Sequence, residues 1–152
     1  MQMTERATGI ENEVEWGETQ EGRILARWLK ASMYAQGAAR MIGSNGFDDY
    51  DYLLLDERGI VVCYVEVKRR RTALAKYGDA MFPWRKHQFA LLVAEQNVPF
   101  IGVTEYGCGA LTEVNLTQPP ATKKDVARRD RPGMKPVPHG LYSKKQLTVL
   151  DG

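Results

Sequence analysis

Apolar and polar positions change period along the chain, and the changes divide it into elements. From residue 18 onward Ile24, Leu25, Trp28, Leu29 and Met33 recur at helical spacing, with Gly17 or Thr19 near the start and Gly37 at the close, which predicts an amphipathic helix. Residues 43 to 46 read as a loop. Residues 47 to 55, the turn-like Asp56-Glu57-Arg58-Gly59 and the β-branched run over residues 60 to 68 read as a β-hairpin whose second strand is buried. Residues 72 to 82 look irregular. Pro83 then opens a second helix with Phe89, Leu92 and Val93 on its apolar face and Asn97 near its end, and residues 99 to 104 form a further strand. Strand, helix, strand implies a right-handed parallel crossover with the helix on one face of the sheet. Residues 110 to 116 alternate as an antiparallel strand, and residues 146 to 150 close the chain as a strand or turn. The class is α/β.

Two stretches stand outside this pattern. Residues 1 to 15 show no periodicity and read as an arm or a short first strand. Residues 118 to 140 are interrupted by Pro119, Pro120, Pro132, Pro136 and Pro138, which argue against a regular helix or a central strand and predict a long basic loop.

Composition narrows the setting. The 152 residues, 43% of them apolar, suit one domain spanning 1–152 with a single core. No apolar run approaches the roughly 18 residues of a membrane span, and the polar first residues lack a secretory apolar core, so a cytoplasmic protein with no membrane partner is expected. Cys63 and Cys108 make no metal-ligand spacing and read as reduced thiols. Net charge is only +2, yet it is unevenly spread: six Glu face one Arg in residues 1 to 22, while residues 121 to 145 hold eight basic side chains against two acids.

The candidate chemistry lies at the hairpin. Glu66 and Lys68 are two apart, so a strand puts both on one face as they emerge from an otherwise apolar run. Across the hairpin, Asp49 pairs with Glu66 if the loop has four residues, and Asp51 does so if there is a bulge or a five-residue loop. The plain alternative is a cross-strand ion pair at a sheet edge, worth little. Against it, acids brought opposite Glu66 would repel it unless a cation sat between them. In the first helix Glu21 falls on the apolar face, where the helix N-terminus alone would favour an acid.

An acid opening one strand, with an acid and a lysine ending its neighbour, resembles the PD-(D/E)xK nuclease superfamily over residues 18 to 106. Asp51 stands in the place of the first acid and Glu66-Val67-Lys68 in that of the E-x-K, while Tyr50 replaces the proline often found before the first acid. The resemblance implies a restriction-endonuclease-like αβββαβ core, with a mixed central sheet flanked by helices. It also implies a metal-dependent nuclease acting on DNA, structure-selective or nonspecific, similar to Holliday junction resolvases or small phage and mobile-element nucleases, and in the resolvase case a two-fold homodimer. If phage-encoded, it would act in the host cytoplasm.

In that setting Asp51, Glu66 and the carbonyl of Val67 offer the hard oxygens that Mg²⁺ or Mn²⁺ prefers, and Lys68 sits where it can orient water or offset phosphate charge. Glu21 matches the Glu that opens the first helix in resolvases. Arg69, Arg70, Arg71, Lys76 and Lys86, with Arg128, Arg129 and Arg131 of the basic loop, are expected to contact backbone phosphates. His87 and His139 are expected at the surface, Trp28 in the core, and Trp16 and Trp84 either packed or stacked on bases. The alternative function is a noncatalytic nucleic-acid-binding or assembly module on the same fold.

Overall fold

The computed structural model describes residues 20–44, 49–71, 73–74, 79–127, 133 and 135–150. The expected arm over 1–15, and Asp48, Lys76, Arg128, Arg129 and Arg131, lie outside the described residues. Helix α1 (Gln20–Ala31) leads through a 3-10 turn (Met33–Ala35) to β1 (Arg40–Gly43), β2 (Tyr52–Leu55) and β3 (Val61–Arg70). Then come β4 (Asp79–Pro83), α2 (Trp84–Ala94), β5 (Phe100–Tyr106), β6 (Leu111–Asn115), β7 (Thr122–Val126), β8 (Val137–Ser143), a second 3-10 turn (Lys144–Gln146) and β9 (Thr148–Leu150). The order αβββαβ expected for the core is present, with β4 interposed before α2.

Six strands form a mixed sheet in the order β1-β2-β3-β5-β6-β9, in which only β3 and β5 run parallel. Alternate residues of its central strands face two separate cores. Cys63, Val65, Ile101 and Val103 pack with Ile24, Leu25 and Trp28 of α1, whereas Phe100 and the half-buried Tyr64 pack with Ala90 and Phe89 of α2 and with Phe82 and Tyr142. Phe82 and Tyr142 belong to a second, antiparallel sheet ordered β4-β8-β7. The sheets meet closely at Gly102, where an added Cβ would lie 2.6 Å from the Phe82 ring. No helix among the described residues is long and apolar enough to cross a membrane.

Several expectations are corrected. Residues 118 to 140 hold β7 and part of β8 rather than one long loop. The prolines are placed where strands tolerate them: Pro119 and Pro120 precede β7, and Pro138 lies beyond the end of β4, whose Pro83 pairs with His139, so β8 has a single neighbour there. Asp79 to Phe82 are a strand, with Ala80 and Phe82 buried alternately. Met33 is 78% exposed because α1 ends at Ala31 and Ser32 caps a tighter turn that rotates Met33 outward. Leu92 is exposed because α2 instead buries Lys86, His87 and Ala90. His87 is thus a core residue, with Nδ1 2.7 Å from the Leu116 carbonyl.

Candidate functional site

The hairpin register places the acids. Asp56 Oδ1 accepts from the amides of Arg58 and Ile60, and Gly59 takes φ +83° to close the turn. A register shift between Leu54 and Leu55 adds one residue to β3, so Tyr52 pairs with Val65 and Asp51 arrives opposite Glu66. Of the two arrangements left open by the sequence, the five-residue loop closed by Leu55 and Val61 and the bulge together decide for Asp51. Asp49 contributes its backbone carbonyl, which accepts from Lys86 Nζ at 2.7 Å. Between them Tyr50 packs against Tyr64 and Phe89 with ring centroids 4.7 and 6.1 Å away, anchoring the segment.

β2 begins at Tyr52, so the last residues of β3 are paired only on the β5 side. The Asp51 carboxylate completes the edge by accepting the Val67 amide at 2.8 Å. In a strand the amide and carbonyl of one residue face the same neighbour, so the Val67 carbonyl opens on the same edge as Asp51.

Glu66 is 4% exposed. Its Oε1 lies 3.3 Å from Lys86 Nζ, near enough for an ion pair, yet no donor among the described residues is aligned to hydrogen-bond it. Its Oε2 lies 3.9 Å from Lys68 Nζ. Burial and then the charge of Asp51 push the Glu66 pKa up to about 7, with Lys86 and Lys68 pulling against them. Glu21 is solvent-exposed on the first turn of α1, not buried at the centre of its apolar face. Its pKa is raised, chiefly by partial desolvation and further by Asp51, against the lowering by the Tyr52 hydroxyl that donates to it and by Lys68. Glu21, Val67 and Lys68 line a shallow concavity of about 200 Å³ at this edge.

The structure therefore brings together Asp51, Glu66, Lys68 and the Val67 carbonyl, with Glu21 at the rim. Among the described residues no three His, Cys, Asp or Glu side chains form a ready-made metal cluster. Two carboxylates and a carbonyl, one carboxylate oxygen being buried without a donor, nevertheless match the oxygen set of a hydrated divalent cation.

The basic residues divide. Lys86 is buried at 4% exposure and faces Glu66, so it is a partner of the acid and does not reach a phosphate backbone at the surface. Arg70 is half-buried and turned to Asp79, tying β3 to β4 through that side chain and the Asp79 carbonyl. Arg69 and Arg71 are exposed, Arg69 lying 3.8 Å from Glu105. Sequence reasoning did not single out Tyr52, whose hydroxyl holds Glu21, and the face occupied by Lys86 could have been found only by knowing which side of α2 meets the sheet.

No protein-family model matches this chain, and no curated protein matches it in sequence. Among solved structures it is similar to Hjc, a Holliday junction resolvase from the archaeal hyperthermophile Archaeoglobus fulgidus. The identity is 14%, the match covers 79% of this chain and 83% of that one, and the TM-score is 0.42, too distant a likeness to carry residues or activity across.

Proposed function

We propose that this chain is a metal-dependent nuclease that hydrolyses phosphodiester bonds of DNA, structure-selective or nonspecific, of the resolvase-like or small phage kind. The observation that supports it is the convergence of Asp51, buried Glu66 and Lys68 at the uncovered end of β3. Mg²⁺ or Mn²⁺ held by Asp51, Glu66 and the Val67 carbonyl would polarise the phosphate and lower the pKa of a bound water. The chain's own residues set the stage. The Val67 amide fixes the Asp51 carboxylate, Lys86 holds Glu66 from the protein side, and Lys68 at the rim offsets negative charge gathering on the phosphate. Glu21, which lines the same concavity as Val67 and Lys68 and feels the charge of Asp51, would orient a water.

The test is cleavage of a panel of junctions, flaps, single strands and duplexes with Mg²⁺ and Mn²⁺. Wild type should cut at least one, and Glu66→Ala and Lys68→Ala should abolish cutting while keeping the fold. Inactivity of wild type on every DNA and RNA substrate would sink the proposal. One observation favours a noncatalytic binding module instead: Lys86 already supplies a positive charge to Glu66 without any metal. That reading expects unaltered DNA binding in EDTA and no rise in melting temperature with Mn²⁺.

A further inference from the structure

A second concavity lies beside the acid pair. Lys68, Arg69 and Arg70 at the end of β3, Met81 of β4, Thr104 of β5 and His139 of β8 enclose a pocket of about 130 Å³ where the two sheets meet. Pockets for drug-sized ligands run from about 300 Å³ upward, so this one suits a group of a few heavy atoms. Its wall is cationic. Asp79 offsets Arg70, and Glu105 lies 3.8 Å from Arg69, but Lys68 stands between this pocket and Glu66 and serves both.

The side chains of Thr104 and His139 bear on the ligand's chemistry. Thr104, register partner of Lys68 and therefore on the same sheet face, is 2% exposed, and its Oγ1 has no hydrogen-bond partner among the described residues. A buried hydroxyl left unpaired is costly, and in a cationic pocket the group that relieves it is an anion with acceptor oxygens. His139 Nδ1 lies 2.8 Å from the Val137 carbonyl, which can only accept. Nδ1 therefore carries the hydrogen, and Nε2 can donate to an anion in the pocket when the ring is protonated.

We propose that this pocket binds one phosphate group of a nucleic-acid strand, adjacent to the phosphate at Asp51 and Glu66, with Thr104 donating to it and Lys68 supplying charge. The strand would thus pass over the end of β3 with a phosphate on either side of Lys68. The inference rests on the nuclease reading for its substrate class, whereas its test requires no cleavage.

The probe is inorganic phosphate, titrated into the full chain in EDTA at constant ionic strength and followed by the ring signals of the two histidines, assigned with His139→Gln. His139 signals should move saturably while those of His87, buried against Leu116, stay fixed. Thr104→Val keeps the shape and removes the unpaired hydroxyl, so it should fold as well as wild type and weaken phosphate binding about tenfold. An unmoved His139, or equal affinity in Thr104→Val, overturns the proposal.

Oligonucleotides with a 5′-phosphate or a 5′-hydroxyl then separate two sources of the phosphate. Loss confined to the phosphorylated end assigns the pocket to a strand terminus, and equal loss on both assigns it to an internal phosphodiester. If wild type cuts nothing while phosphate still moves His139, the nuclease reading fails and the pocket stands. If it cuts while His139 stays fixed, only the pocket fails.

Discussion

Glu66 sits in an electrostatic conflict: a carboxyl buried at the sheet, opposite Asp51, with its pKa raised from 4.5 to about 7. An acid whose folded-state pKa is raised contributes stability that is complete below pH 4.5 and is lost as pH climbs through about 7. For the metal-free protein the loss amounts to roughly 3 kcal/mol. Glu66→Gln, neutral at every pH, should therefore melt higher than wild type in EDTA at pH 8 and lose that advantage at pH 4. A metal competes with the same proton, so Mn²⁺ should raise the melting temperature of wild type more at pH 8 than at pH 5.5 and leave Glu66→Gln nearly unmoved. Melting curves that run parallel with pH would contradict both. Lys86 acts through Glu66 rather than on a substrate. Lys86→Met retains the buried stem but removes the charge, and should reduce metal affinity about 10- to 100-fold by leaving the Glu66 carboxylate unheld. Mn²⁺ titration by calorimetry measures this without reference to turnover.

At the scale of elements, loop length and a bulge together select between two aspartates. Leu55 pairs with Val61 across five loop residues, and the shift between Leu54 and Leu55 adds one more, so Asp51 faces Glu66; without the shift Tyr50 would, and only a four-residue loop with no shift would bring Asp49 there. Asp51→Asn should then abolish stabilisation by Mn²⁺, and Asp49→Asn should leave it close to wild type, because Asp49 serves Lys86 through its backbone. The reverse pattern would mean that the register is wrong. This marks the limit of what residue patterns expose. Strands β2, β3, β5 and β6, the two helices and the facing of Glu66 and Lys68 follow from periods that side-chain chemistry enforces locally, and these were legible, whereas the short edge strand β1 and the strand β4 were not. The bulge depends on the geometry of Asp56 and Gly59 in their turn, to which hydrophobic period is blind. The burial of Lys86 and His87 is likewise invisible, since each is paid for by a partner far away in sequence, Glu66 and Leu116 respectively. The strands β7 and β8 were hidden by prolines whose harmlessness depends on where the neighbouring strand stops.

At the scale of the whole molecule, the described residues form two sheets that pack together at Gly102 and Phe82, with the two helices against the larger one. Gly102 permits that approach. Gly102→Ala would drive a methyl into the Phe82 ring and should cost about 1–3 kcal/mol in urea unfolding, with Phe82→Leu restoring part of it. An unchanged midpoint would show that the sheets are free to separate.

The joined sheets also set a field of charge beyond the site. Lys124 of β7 pairs with His139 of β8, and Lys123 lies 4.4 Å over the Trp84 ring, so an exposed cationic strand continues from the phosphate pocket along the second sheet. Under the proposed function, these exposed cations and Arg69 and Arg71 would contact backbone phosphates, which carry no base information. Binding to duplex DNA should fall with salt, each phosphate contact contributing about −0.9 to the logarithmic slope. Replacing Arg69, Arg71 and Lys124 by Ala should make that slope shallower and weaken binding alike on all sequences. Affinity for Mn²⁺ at Asp51 and Glu66 should stay as it is. A slope identical to that of wild type would exclude these cations from the interface, and a loss dependent on sequence would mean that the strand reads bases after all.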